Sequence, residues 1–112
     1  MAEDWGKAVQ CVTTEYQNIL ADPEVDAVFI ATPAKTHFKV VSDSLRAGKD
    51  VLVEKPMVTS VKEAEELVDL AEKMGRILMV SHTFLYNDAI RQMRRLVVRG
   101  DLGSIEHMYS RR

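Results

Sequence analysis

The sequence has a single cysteine, Cys11, so it can close no disulfide within itself and offers no cysteine-based zinc site. A reducing compartment is compatible with that. Its three histidines, at 37, 82 and 107, are too scattered for metal-ligand spacing. No apolar run approaches the ~20 residues of a membrane span. The N-terminus, Met1-Ala2-Glu3-Asp4-Trp5, has no basic stretch followed by an apolar one, so no secretion signal is read and the cytoplasm is the expected location. Neither sign of charge prevails: 15 basic and 17 acidic residues are mixed along the chain, which points to neither a nucleic-acid surface nor an anionic membrane partner. The local basic clusters, Arg91 with Arg94 and Arg95 and then Arg111-Arg112, read as solvated. There is no Gly-x-Gly-x-x-Gly, no phosphate-binding P-loop and no Gly-x-Ser-x-Gly elbow.

What is present is an alternation. Short apolar runs occur at Val28–Ala31 (with Ala27 before them), Val51–Val53 and Ile77–Val80. Runs this short, rich in Val and Ile and bounded by breakers, read as strands buried on both faces. A weaker candidate surrounds Val12, over residues 9–13. Between the runs lie helical patterns. Ser60–Met74 carries Val61, Ala64, Leu67, Val68, Ala71 and Met74 on one stripe. Ser60 and Glu63 have capping-box spacing, and Gly75 can end the helix in the left-handed conformation. Thr36–Ala47, with Phe38, Val41 and Leu45 on one side, is a second helix ended by Gly48. Glu15–Ala21 is a short third, stopped by Asp22-Pro23. Strand, helix, strand, helix, strand with short links predicts an α/β fold: a parallel sheet with crossover helices.

After Ser81 the pattern changes. Asn87 can cap a helix running to Arg99 and closed by Gly100, and residues 105–110 alternate like the start of a strand. The expected division is therefore residues 1–84 in one structural unit and 85–112 opening another. The weak first strand and the unpartnered last one predict a chain cut at both ends or dependent on partners, and self-association into a homo-oligomer is one way to cover them.

Parallel sheets bind ligands beyond the carboxyl ends of their strands, so those ends are where chemistry is sought. The first holds Ala31-Thr32-Pro33-Ala34-Lys35-Thr36-His37. Its backbone N–H groups can face an anion, with Thr32 and His37 beside them; equally, it can be a plain turn with Thr36 as cap and His37 exposed. The second holds Glu54-Lys55-Pro56. A charged pair directly after a buried strand is unusual unless paired or functional. A lysine there can work as acid or base, and X-Pro is the bond at which cis geometry is accessible; the alternative is a surface turn with an incidental ion pair. The third holds Ser81-His82-Thr83-Phe84, where His82 either faces the cleft of Lys55 or is simply hydrogen-bonded at a strand terminus.

Three stretches together are more specific: Asp22-Pro23-Glu24-Val25-Asp26-Ala27-Val28-Phe29-Ile30-Ala31-Thr32-Pro33 followed by His37; Ala47-Gly48-Lys49-Asp50-Val51-Leu52-Val53-Glu54-Lys55-Pro56; and Gly100-Asp101-Leu102-Gly103-Ser104-Ile105. In this order they resemble the Gfo/Idh/MocA oxidoreductases, over nearly the whole chain. The resemblance implies a Rossmann domain binding NAD or NADP, here partial, followed by the first helix and strand of an α/β substrate domain. It also implies hydride transfer to or from a sugar or polyol. By position, Ala31, Thr32, Pro33 and His37 match the segment that contacts the dinucleotide. Lys55 matches the catalytic lysine by nicotinamide and substrate, Glu54 the ribose contact, and Pro56 the cis-proline, while His82 and Tyr86 fall toward the substrate. Two departures accompany it: the glycine fingerprint is absent, and the family's second-domain Asp and His would lie beyond Arg112. The expectation is an oxidoreductase segment inactive alone, and the alternative a non-catalytic chain acting through association.

Overall fold

The computed structural model describes residues 11–111. Helix α1 (Tyr16–Ala21) leads to strand β1 (Ala27–Ile30). A 3-10 turn (Ala34–Thr36) runs into helix α2 (His37–Arg46), then strand β2 (Asp50–Val53), helix α3 (Val61–Met74) and strand β3 (Leu78–Val80). A second 3-10 turn (Thr83–Tyr86) and helix α4 (Asp88–Arg99) follow. The sheet is parallel in the order β1-β2-β3, with α2 and α3 as the crossovers, as the alternation predicts.

The chain divides into two compact units, one ending at Ser81 and the other beginning at His82. In the first, period two along each strand meets period 3.6 along each helix. The register rows Val28–Val51–Leu78 and Ile30–Val53–Val80 belong to the same core as Val41 and Leu45 of α2 and Leu67 and Ala71 of α3. The intervening row, Phe29–Leu52–Met79, points to the other face, where Phe29 is 59% exposed and Met79 41%. Burial on both faces, expected from continuous apolar runs, is thus corrected: both crossover helices pack on the alternate rows, and the Phe29 row is left open.

Gly75 closes α3 in the left-handed conformation (φ 61°), where a Cβ would be strained. The expected capping box at Ser60 does not form: its hydroxyl caps no N–H, although its carbonyl accepts from the Ala64 N–H at 3.1 Å. Ser60 is exposed, so water competes for the hydroxyl. The candidate strand around Val12 lies partly outside the described residues, and residues 11–13 form no strand. Residues 105–110 form none either, because among the described residues no neighbouring strand pairs with them. In the second unit Asn87 does cap α4, its Oδ1 accepting from the Ala89 and Ile90 N–H groups at 3.0 and 3.3 Å.

Candidate functional site

The carboxyl ends of the three strands are matched by register. Ile30, Val53 and Val80 form one row, and the ladder continues one step beyond it through Glu54 N–H to the Ile30 carbonyl (2.8 Å) and Ser81 N–H to the Val53 carbonyl (2.9 Å). Thr32, Lys55 and His82 are each the second residue past that row. Thr32 and Lys55 therefore leave adjacent parallel strands at the same level, and both are exposed. His82 belongs to the second unit, where it is exposed, and so is Tyr86, whose ring lies 5.8 Å from the Arg91 guanidinium carbon.

The loop after β1 is tightly built. The Thr36 N–H donates to the Pro33 carbonyl at 2.8 Å, closing the turn. The Thr36 hydroxyl lies 2.7 Å from both the Pro33 carbonyl oxygen and the Thr32 hydroxyl. It caps no helix N–H, unlike the Thr36 cap of the plain-turn alternative. Ala31, Thr32 and Pro33 stay open to solvent on this loop.

The loop after β2 carries the Lys55–Pro56 bond in the cis form. Glu54 is half-buried and turns its carboxylate back to accept from the Lys55 backbone N–H at 3.1 Å. Among the described residues the Lys55 ammonium makes no ion pair and no hydrogen bond, so the incidental Glu54–Lys55 ion pair of the surface-turn alternative does not form. The Lys55 side chain is instead, among the described residues, an unpaired cation on an exposed loop residue.

His37 departs most from expectation. Read as exposed in the plain-turn alternative, it is only 1% exposed. Its Nδ1 lies 2.8 Å from the Pro56 carbonyl oxygen and its Nε2 2.8 Å from the Thr32 carbonyl oxygen. The first residue of α2 thus reaches both strand-end loops. Sequence reasoning also missed Lys49, buried at the start of β2 with Nζ donating to the Asp22 carbonyl at 2.6 Å. That contact sits at the amino end of the strand and ties α1 to the sheet. Among the described residues no group of three or more His, Cys, Asp or Glu side chains could hold a metal ion, and no helix is long and apolar enough to cross a membrane.

The exposed loops, the free ammonium and the hydroxyl form a polar rim at the carboxyl edge of a parallel sheet, the place where such sheets take dinucleotides. Known proteins resemble this chain. The chain is 34% identical over 107 residues to the uncharacterized oxidoreductase YdgJ of Escherichia coli K12, covering 96% of this chain and 30% of that protein. It is 38% identical over 90 residues to dTDP-3,4-didehydro-2,6-dideoxy-alpha-D-glucose 3-reductase of Actinomadura kijaniata, covering 80% and 27%. It therefore spans less than a third of the length of these relatives. Among solved structures, the 3-ketoreductase KijD10 of Actinomadura kijaniata, in complex with NADP and TDP-benzene, superposes with a TM-score of 0.75 at 36% identity, over 79% of this chain and 27% of that one. Residues 1–82 match the profile of the Gfo/Idh/MocA oxidoreductases, with their NAD-binding Rossmann fold, and the chain belongs to that family.

Proposed function

We propose that this chain forms the nicotinamide-side rim of a dinucleotide site in an oxidoreductase that moves hydride between NAD or NADP and a sugar or polyol. The observation that carries the reading is the pairing of Ile30 with Val53, which brings the exposed Thr32 and the unpaired Lys55 out side by side. Relatives that reduce a dTDP-linked ketosugar and 1,5-anhydro-D-fructose support the substrate class. Residues 1–84 are then part of the dinucleotide domain, and 85–112 open the substrate domain.

The rim suits such a cofactor: it offers a hydroxyl, a cation unpaired among the described residues and open backbone at the end of a parallel sheet. When bound, the nicotinamide supplies or accepts the hydride. Ala31, Thr32 and Pro33 would hold the dinucleotide along their exposed edge, Glu54 would contact its ribose, and Pro56 directs the loop. Lys55 donates a hydrogen bond from Nζ to the substrate oxygen. In the reductive direction that oxygen gains the proton from Nζ as the carbonyl carbon gains hydride; in oxidation both return. His82 and Tyr86 take the substrate side.

The chain has no glycine loop to grip a pyrophosphate. NADH titrated into it, followed by fluorescence, should bind no tighter than about 1 mM, and micromolar affinity would contradict the proposed division of labour. In a polypeptide that joins this segment to a glycine-rich dinucleotide loop and a substrate domain, Lys55→Ala should lower kcat by roughly 100-fold or more, leaving KM for the dinucleotide nearly unchanged. Normal turnover would remove Lys55 from catalysis. A second reading, association without catalysis, draws on the open apolar row of Phe29 and Met79; it predicts a stable oligomer and no turnover in that same polypeptide.

A further inference from the structure

Lys55 stands on a loop that few hydrogen bonds hold. Among the described residues, the loop after β2, residues 54–60, is fixed by the Glu54 N–H to Ile30, the Lys55 N–H to the Glu54 carboxylate, the Pro56 carbonyl to the His37 ring and the Ser60 carbonyl to Ala64. Pro56 has no N–H to offer. Met57 and Val58 pack against the core and Ser60 leads into α3, while the His37 contact is the one of these four that joins the loop to α2. The same ring reaches the carbonyl of Thr32.

We infer that His37 is a positioning residue: its ring ties the Thr32 loop to the Lys55 loop and acts on cofactor and substrate only through them. The inference rests on the dinucleotide-site reading for its consequence in turnover, but not for the tie itself. Three observations carry it. His37 is 1% exposed, so its ring has no surface left for a ligand. Both ring nitrogens are already within 2.8 Å of protein carbonyls, five and nineteen residues away in sequence. And its backbone begins α2, whose Val41 and Leu45 are fully buried, so the tie is anchored to the rigid core rather than to another loop. Whichever ring nitrogen carries the hydrogen, it can donate to the carbonyl it faces, and the ring packs between the two loops at both of its nitrogens. Among common side chains imidazole alone presents two ring nitrogens on opposite sides of one rigid plane.

The consequence is specific. A ring that touched the dinucleotide would contribute mainly to KM. A ring that sets the spacing of Thr32 and Lys55 contributes to kcat, because small misplacements of a reacting group are expensive in rate. In the polypeptide carrying this segment with a glycine loop and substrate domain, His37→Gln should lower kcat roughly 10-fold and His37→Phe up to about 100-fold, with KM for the dinucleotide held within about twofold. A raised KM with kcat intact would mean direct contact and overturn the inference, as would unchanged kcat in both folded variants. A second arm needs no activity. In the 112-residue chain itself, the amide resonances of Thr32, Ala34, Lys55 and Met57 should all move in His37→Gln, while those of Gly48 and Lys49 at the far end of β2 stay in place. Movement confined to one loop would sink the tie. If the wild-type polypeptide has no oxidoreductase activity, the functional reading fails and this second arm decides the inference alone.

Discussion

The two units of this chain carry equally clear helical patterns, yet they stand very differently in the folded state. In the first unit the alternating rows of three strands and the stripes of α2 and α3 converge, and Ile30, Val41, Leu45, Val51, Val53, Leu67 and Ala71 are all buried. In the second, α4 has its cap, its glycine terminator and its apolar positions, but no residue of it is buried: Ile90 is 40% exposed, Met93 51% and Val97 41%. Amphipathicity declares that a helix has a face to hide; it does not supply the surface that hides it. The first unit contains its own second layer, whereas the second presents a helix formed by local rules alone.

That contrast can be broken most forcefully in the core. Leu45→Ala, which empties a fully buried position, should cost about 2–5 kcal/mol, whereas Ile90→Ala on α4 should cost under about 0.5 kcal/mol. Chemical denaturation of the two variants compares them directly, and similar costs would mean that α4 packs against something in solution. Next in size is the cap. If α4 rests on local interactions, Asn87→Ala should weaken it by about 1 kcal/mol, read as faster amide exchange at Ala89 and Ile90. Exchange at Val51 and Val53 should be untouched.

The smallest effect lies on the surface of the first unit. There Tyr16 of α1 donates to Asp43 of α2 at 2.7 Å, and Lys39 pairs with the same carboxylate at 2.6 Å. The hydrogen bond from Lys39, then that from Tyr16, holds the Asp43 carboxyl below its ordinary value of 3.8, with desolvation opposing. Asp43 and Tyr16 in turn raise the Lys39 ammonium above 10.5. For a lowered carboxyl, the stabilisation is present above the unfolded value and disappears as pH falls through the folded one. For a raised ammonium, it is present below 10.5 and disappears as pH rises through the folded value. Asp43→Asn should therefore flatten both the acid and the alkaline limb of the thermal midpoint, by a small amount because Lys39 is mostly solvated. An unchanged acid limb would show that the α1–α2 staple contributes nothing.

Much of the first unit was legible before any coordinates. The positions of all three strands, of α2 and α3, and the roles of Gly48 and Gly75, like that of Asn87 in the second unit, follow from periodicity and from backbone rules that act within one turn. The errors share a cause. Residues 105–110 have the alternation of a strand, but a strand exists only when a neighbour accepts its hydrogen bonds. The Ser60 hydroxyl has capping spacing, but an exposed hydroxyl can be satisfied by water. The Phe29 row has the composition of a doubly covered sheet, but coverage depends on which side the crossovers take.

The candidate site divides in the same way. Glu54-Lys55-Pro56 and Thr32-Pro33 could be singled out as strand-end residues because a strand's exit is encoded within a few positions of its apolar run. His37 was marked at the same strand end, but the bridge its ring makes could not be read: its partners lie on two loops, five and nineteen residues distant, and their approach depends on the register of β1 with β2. Short-range order, being governed by neighbours along the chain, was already present in the order of the amino acids. The burial of His37, the freedom of the Lys55 ammonium and the open row of Phe29 were decided only by tertiary structure, because each is a relation between segments that the chain brings together solely by folding.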